Sequence, residues 1–303
     1  MEGFIDATLR RVIADFDATK AQAGKLCDCK TLTYEGGNSP NFDTPLVQQI
    51  YMLRYFPAYL AEYYLMYRAL LGTQFLPQKL NVLSIGCGCG VDLWALRFAM
   101  RAAGRNPAID IEYTGIDVAA WQYQDTMQLP GVRFIRQDIT QWNALDRSDY
   151  NVFVFPKCIG EFPQSVFMSI RDIFARSTFL QGKVCGLCSL MKMGLDADAA
   201  RFREIAQVMT NAHGFQCLDE PDEYWHVTEE KGIRAVCYPW VYPSDVLTRT
   251  RQLIEECPTR LTNGQPCKSD CASRLNRSPI LRTTFINYKL LRFQRPEQVK
   301  ANE

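Results

Sequence analysis

Histidine is nearly absent from this chain: His213 and His226 are the only two among 303 residues. The residue most often used as a general base at neutral pH is therefore scarce. Excess charge is also lacking. The formal net charge is +1, so no global field draws the chain to nucleic acid or to a membrane surface. No window approaches the roughly 18 uninterrupted apolar residues of a membrane-spanning helix. The opening stretch, MEGFIDATLRRVIADFDATK, has acidic residues near its start and no unbroken apolar core, which excludes a secretory signal or a transit peptide. No internal repeat or low-complexity tract is present. These absences predict a cytoplasmic protein without a membrane partner.

What is present fits a globular fold. Hydrophobic residues make up 47% and charged residues 22%, and a chain of this length can bury one large core or two modest ones. Twelve cysteines is a high count. Dispersed along a chain without a secretory signal, they argue against a disulfide framework, and most are expected to be small buried hydrophobes.

Residues 4 to 19 carry the apolar periodicity of an amphipathic helix. A polar stretch rich in turn formers follows. Thr44 then caps a helix with Pro45 at its first position, and apolar or aromatic residues recur at spacings of three and four from Leu46 to Leu70. Pro57 is expected to kink or divide that helix. From Lys79 the texture changes. LNVLSIG, IEYTGID, VRFIRQD, YNVFVFP and GKVCGLCSL are short β-rich runs with helical stretches between several of them. Such alternation predicts a parallel sheet covered by helices. The expected organisation is a helical N-terminal cap over 1–76 and an α/β unit over 77–303, with a late insertion around 217–280.

The densest motif is NVLSIGCGCGVDLWAL, residues 81 to 96. Gly86, Gly88 and Gly90 fall where the first strand turns into its helix, the place where parallel α/β sheets bind ligands. Glycine permits positive φ there and lets a ligand approach bare backbone. The spacing is G-x-G-x-G, and Val91 stands where a dinucleotide fingerprint has its third glycine. The second strand ends at Asp117, placed to accept both hydroxyls of a ribose. The third ends at Asp138, placed to meet an adenine amino group. The fourth ends in VFVFPK and continues CIGEFP.

In this order of motifs, residues 79 to 190 resemble the class I S-adenosylmethionine-dependent methyltransferases. The resemblance implies a Rossmann-like sheet with helices on both faces and S-adenosyl-L-methionine as cofactor. It implies that Gly86, Cys87, Gly88 and Gly90 lie beneath the methionine and ribose portions. Asp117 would hold the ribose, Val118, Asp138 and Ile139 would edge the adenine, and Phe155 and Pro156 would face the transferred methyl with Lys157. The family carries an acid two positions before its first glycine, where this chain has Ser84. Ser84 is counted with the cofactor-binding residues, and the departure leaves the amino-acid end of the cofactor to other groups as well, Asp92 or the tyrosine-rich helix. A narrower resemblance, through YMLRYFPAYLAEYYLMYRALL, LWAL and CIGEFP, is to methyltransferase-like proteins associated with assembly of the small ribosomal subunit. Those carry cysteines thought to bind an iron–sulfur cluster.

Cys87 and Cys89 alternate with glycines that must admit a cofactor, so they are read as fillers. Cys185 and Cys188 lie three apart on a strand and should face opposite sides. Cys27, Cys29, Cys257, Cys267 and Cys271 lie in polar, turn-like sequence where thiolates would suit zinc or an iron–sulfur cluster. Their spacing matches no standard pattern, and no metal is expected.

Methyl transfer depends mostly on positioning. A base is needed only when the acceptor must first lose a proton, and Glu161 and His226 are the candidates. His213, in NAHGF, reads as a residue at a helix C-terminus. Tyr63 and Trp225, with Lys157, are expected to wall the acceptor site. With acidic Asp222 and Glu223 nearby, such a wall would suit a small amine-bearing molecule. Basic residues outnumber acidic ones between 245 and 296. That face supports an alternative, an RNA- or ribosome-associated binding protein with weak or no catalysis.

Overall fold

A computed structural model describes residues 1–23, 40–124, 129–190, 195–221, 225–227, 242–256 and 286–296, with backbone alone at 225–227, 254, 255 and 286. Two long helices come first, α1 (Glu2–Ala23) and α2 (Pro45–Gly72). Strand and helix then alternate: β1 (Leu80–Ile85), α3 (Val91–Ala102), β2 (Ile111–Asp117), β3 (Val132–Arg136), β4 (Val152–Pro156), α4 (Gln164–Arg176), β5 (Lys183–Leu190) and α5 (Leu195–Asn211). Short strands β6 (Gln216–Cys217) and β7 (Trp225–Val227) precede α6 (Ser244–Glu255) and β8 (Ile286–Gln294).

The sheet runs β3-β2-β1-β4-β5-β8-β6. The pairs from β3 through β5 are parallel, whereas β8 enters antiparallel between β5 and β6. The start of β8 also pairs with β7. Strand alternation divides the interior into two cores. Val82, Val154, Cys185 and Leu187 pack with α1, α2, α3 and α6 on one side. Leu83, Phe153, Phe155 and Cys188 pack with α4 and α5 on the other. Cys185 and Cys188 therefore face opposite sides, as their spacing on a strand requires. Helices cover both faces, in agreement with the α/β expectation.

Thr44 and Pro45 begin α2 as expected, but Pro57 does not divide it. The helix continues through the proline for 28 residues. Proline has no N–H to give to the carbonyl four residues back. That carbonyl, Leu53 O, instead accepts the Tyr242 hydroxyl at 3.0 Å. A residue just before α6 thus completes the bonding of α2. Helix α6 also lies against α1, through ion pairs Arg10–Asp245, Arg249–Asp17 and Lys20–Glu256. No described helix is long and apolar enough to cross a membrane.

Candidate functional site

Strand β1 reaches α3 through a turn in which Gly86, Gly88 and Gly90 all have positive φ, at 67°, 55° and 74°. L-residues resist that region, which explains the three glycines. At Gly86 the space is also closed, because a Cβ would lie 2.9 Å from Sγ of Cys158. The Cys158 thiol itself donates to Ile85 O, so the loop after β4 rests on the glycine turn. Asp117, at the end of β2, joins the next two pieces. Its Oδ2 accepts the Gly88 N–H and its Oδ1 the Ala119 N–H, both at 2.9 Å.

A cleft of about 420 Å³ runs along these strand ends, within the range of about 300–1,000 Å³ usual for small-molecule sites. Its lining includes Gly86, Gly88, Asp117, Val118, Asp138 and Ile139, together with Pro156, Lys157, Glu161 and Tyr59. Helix α2 positions its rim. The Gln48 amide donates to Phe42 O and Ala120 O, and its oxygen accepts the Gln122 N–H. Asp138 caps the 3-10 turn Ile139–Gln141, its Oδ1 accepting the N–H and hydroxyl of Thr140. Val118 is 64% exposed although apolar, and it lines the cleft.

Five expected site residues do not line the cleft. Ser84 is fully buried under the turn, beside Asp92 and Tyr113. Cys87 points inward, its sulfur filling the space where Gly115 lacks a Cβ. Gly90 caps α3 behind the opening. Phe155 faces the far core against Phe174 and Phe202, because β4 alternates and its neighbour Pro156 takes the cleft side. Tyr63 is buried, and Tyr51 and Tyr59 of the same helix line the cleft in its place. Trp225 and His226 lie on β7 opposite Tyr288 and Asn287 of β8, and their side chains fall outside the described residues. So do Asp222, Glu223, Cys27, Cys29, Cys257, Cys267, Cys271 and most of the basic stretch. His213 follows α5 and its Nε2 meets Phe174 O at 2.8 Å.

Several cleft residues carried no sequence signal. Phe42, Trp121 and Tyr51 form one aromatic group with ring centroids 4.7 to 5.4 Å apart. Lys157 adopts φ +55°, unusual for a residue with a side chain. Its ammonium meets Glu62 of α2 at 2.9 Å and lies 5.3 Å from the centroid of the Tyr59 ring. The only sign of Glu62 in the sequence was a carboxylate on an otherwise apolar helix face.

Burial governs the electrostatics. Glu161 is pushed up to about 8, chiefly by burial and further by the negative charges of Asp198 and Asp117. Burial also raises Asp117, against the two backbone N–H groups that favour its charged form. Asp92, in the first turn of α3, is held at about 6 by burial. It accepts the Tyr113 hydroxyl on both oxygens, at 2.9 and 3.1 Å, and the Tyr67 hydroxyl at 3.4 Å. Burial pushes the thiols of Cys87, Cys89 and Cys158 up as well, so none is a ready thiolate.

No protein-family model matches the chain, and no curated protein does. Among solved structures, the plantazolicin methyltransferase BpumL in complex with SAH aligns over 97% of this chain and 100% of its own, at 13% identity and a TM-score of 0.42. Phosphoethanolamine N-methyltransferase 2 of Haemonchus contortus, in complex with S-adenosyl-L-methionine, aligns over 76% of this chain and 52% of its own, at 12% identity and a TM-score of 0.38. The cyclase SpnF aligns over 76% and 79%, at 15% identity and a TM-score of 0.40. By its own strand order, with antiparallel β8 set between β5 and β6, the chain has the Rossmann-like fold of the class I S-adenosylmethionine-dependent methyltransferases.

Proposed function

We propose that this chain binds S-adenosyl-L-methionine in the cleft and methylates a small amine-bearing acceptor. The observation that carries the reading is the alignment of Gly86, Gly88, Asp117 and Asp138 at the carboxyl ends of three neighbouring parallel strands, along one cleft. The residues fit that cofactor. An ionised carboxylate has about four lone-pair sites, so Asp117 keeps capacity for ribose hydroxyls beside its two backbone donors. Val118 offers an exposed apolar surface for a planar base, with Ile139 and Asp138 at its edge. When bound, the cofactor supplies a methyl group activated on a cationic sulfur.

Charge supports the acceptor class. Among the described residues, those lining the cleft include Asp43, Asp117, Asp138 and Glu161 against a single cation, Lys157. Such a lining suits a positively charged ligand and repels a polyanion such as RNA. Tyr51, Tyr59 and Phe42 add aromatic faces to which an ammonium is attracted. Glu161, as its carboxylate, would accept the proton that an ammonium must lose before its nitrogen lone pair can attack. Pro156 and Lys157 would bound the acceptor at the end of β4.

Calorimetry with the purified chain tests this. Micromolar-range binding of S-adenosylmethionine is expected, and Asp117→Ala should weaken it at least tenfold, about 1.4 kcal/mol. S-adenosylhomocysteine should protect the fold against heat and NAD should not. Folded protein that binds neither sulfur ligand, or undiminished binding by Asp117→Ala, would refute the reading. Binding without turnover on any amine would instead favour the non-catalytic alternative.

A further inference from the structure

Among the described residues, the one cation lining the cleft is already committed elsewhere. Lys157 leaves β4 in a left-handed backbone conformation, and its Nζ lies 2.9 Å from Oε1 of Glu62 and donates to Leu190 O at 3.2 Å. Glu62 is fully buried on α2. The Ser189 hydroxyl of β5 donates to the same Oε1, and Oε2 has no hydrogen-bond partner. Four residues after the lysine, Glu161 lines the same cleft with no hydrogen bond or ion pair to any described side chain. A buried charge pair is costly to assemble and weak as a source of stability. A fully buried pair at the edge where this fold reacts, on a left-handed lysine, therefore calls for a role beyond stability.

We propose that Glu62 is a positioning residue: by holding the Lys157 ammonium against α2 and β5, it leaves Glu161 uncompensated as the proton acceptor of the cleft. This rests on the methyl-transfer reading. The groups facing Glu161 agree with it. Asp198 from α5 and Asp117 from β2 repel its charged form, and Lys157 alone opposes them. Tyr59 of α2 and the Cys158 thiol are held neutral by burial. Arg201 of α5 approaches the same loop but donates to the carbonyls of Ile159 and Phe162, both at 2.7 Å. With Glu62 in place, Glu161 keeps its proton in the ligand-free protein. A cationic ligand in the cleft then displaces that proton to water, leaving the carboxylate able to accept one from the acceptor's ammonium.

Proton release on binding reads this directly. Calorimetry of S-adenosylmethionine binding in two buffers of different ionisation heat, between about pH 6 and pH 9, gives the protons released per ligand. Wild-type protein should release a proton to the buffer on binding the sulfonium ligand and not on binding the uncharged thioether S-adenosylhomocysteine, and Glu161→Gln should abolish the release. Glu62→Gln unpairs Lys157 beside Glu161, so the release midpoint should move at least one pH unit toward acid, a tenfold loss of proton affinity. The double variant Glu62→Gln/Lys157→Met removes both charges and should return the midpoint toward that of wild type, which a merely structural role for Glu62 would not do. If Glu62→Gln fails to fold, the double variant against wild type still decides, since a release midpoint about one pH unit or more away from that of wild type would refute the pairing. An unchanged midpoint in Glu62→Gln with intact binding overturns this proposal alone. Absence of binding by folded wild type overturns the methyl-transfer reading, and this proposal falls with it.

Discussion

Glu161 has a consequence for stability as well as for chemistry. Its ordinary value is 4.5, and in the folded chain it stands at about 8. Between those values the unfolded chain has lost the proton and the folded chain still holds it. Stability therefore falls as pH rises through that window and is fully present only below it. Glu161→Gln removes this slope. Thermal unfolding should show the variant gaining on wild type from about pH 5 to about pH 8, and a constant difference would show that the carboxyl is not held up. Asp92 acts in the same direction over a lower window, from 3.8 to about 6. Its bonds with Tyr113 support the first turn of α3, directly under the glycines. Tyr113→Phe removes a donor to a buried carboxylate and should cost about 1.5–3 kcal/mol in urea unfolding. A cost near zero would mean that Asp92 is neutral and needs no such partner. The residues legible in the sequence were those whose position follows from a strand end, namely Gly86, Gly88, Asp117 and Asp138. Phe155 was misplaced because a strand-end motif does not tell the alternation of faces, which the far-side packing of Phe153 and Phe155 decides. Lys157 was expected at the end of β4, but its left-handed conformation had no signal, since only tertiary contact can stabilise that conformation in a residue with a side chain.

Helix α2 shows the same limit at the level of elements. Its start was legible from Thr44 and Pro45 and its extent from the apolar spacing to Leu70, but its continuity through Pro57 was not. Proline in a helix interior costs about 3 kcal/mol or more, so Pro57 argued for a kink or a break. The Tyr242 hydroxyl, distant in sequence, offsets part of that cost by satisfying Leu53 O. A double-mutant cycle should expose the dependence. Tyr242→Phe should destabilise the native chain by about 1–2 kcal/mol through the orphaned carbonyl. In a Pro57→Ala background the residue at 57 can itself donate to Leu53 O, and the same substitution should cost less. Equal costs in both backgrounds would show that the tyrosine serves only as packing. The tyrosines of α2 follow the same logic. Tyr51, Tyr55, Tyr59 and Tyr63 stand at i, i+4 spacing and their rings meet in sequence along the helix. The spacing predicted one shared stripe. Which end of it would reach the cleft depended on how far the helix is rotated against β4, and the buried Glu62–Lys157 pair holds that rotation.

On the scale of the whole molecule, the cleft is built from parts far apart in the chain. Its lining draws on segment 40–43, α2, and the turns after β1, β2, β3 and β4. Helix α2 is tied in turn to α1 by packing and to the segment before α6 by Tyr242. Of the ion pairs between α1 and α6, Arg10–Asp245 is exposed and Arg249–Asp17 half-exposed, and exposed pairs contribute about 0–1 kcal/mol each. The apolar contacts of Val246 and Leu253 with the α1–α2 core therefore carry the docking. If the cap over 1–76 and the α/β unit share that core, they unfold together. A ligand that binds only the folded chain adds RT ln(1 + [L]/Kd), about 2.7 kcal/mol at a hundredfold excess over Kd. S-adenosylhomocysteine at that excess should move a single cooperative transition by this amount, with far-ultraviolet and tyrosine signals shifting together. Two transitions, of which the ligand moves only one, would show that the helical cap folds apart from the sheet. The roof of the cleft would then be a separate body, joined to the reacting edge through the Tyr59–Lys157–Glu62 contact.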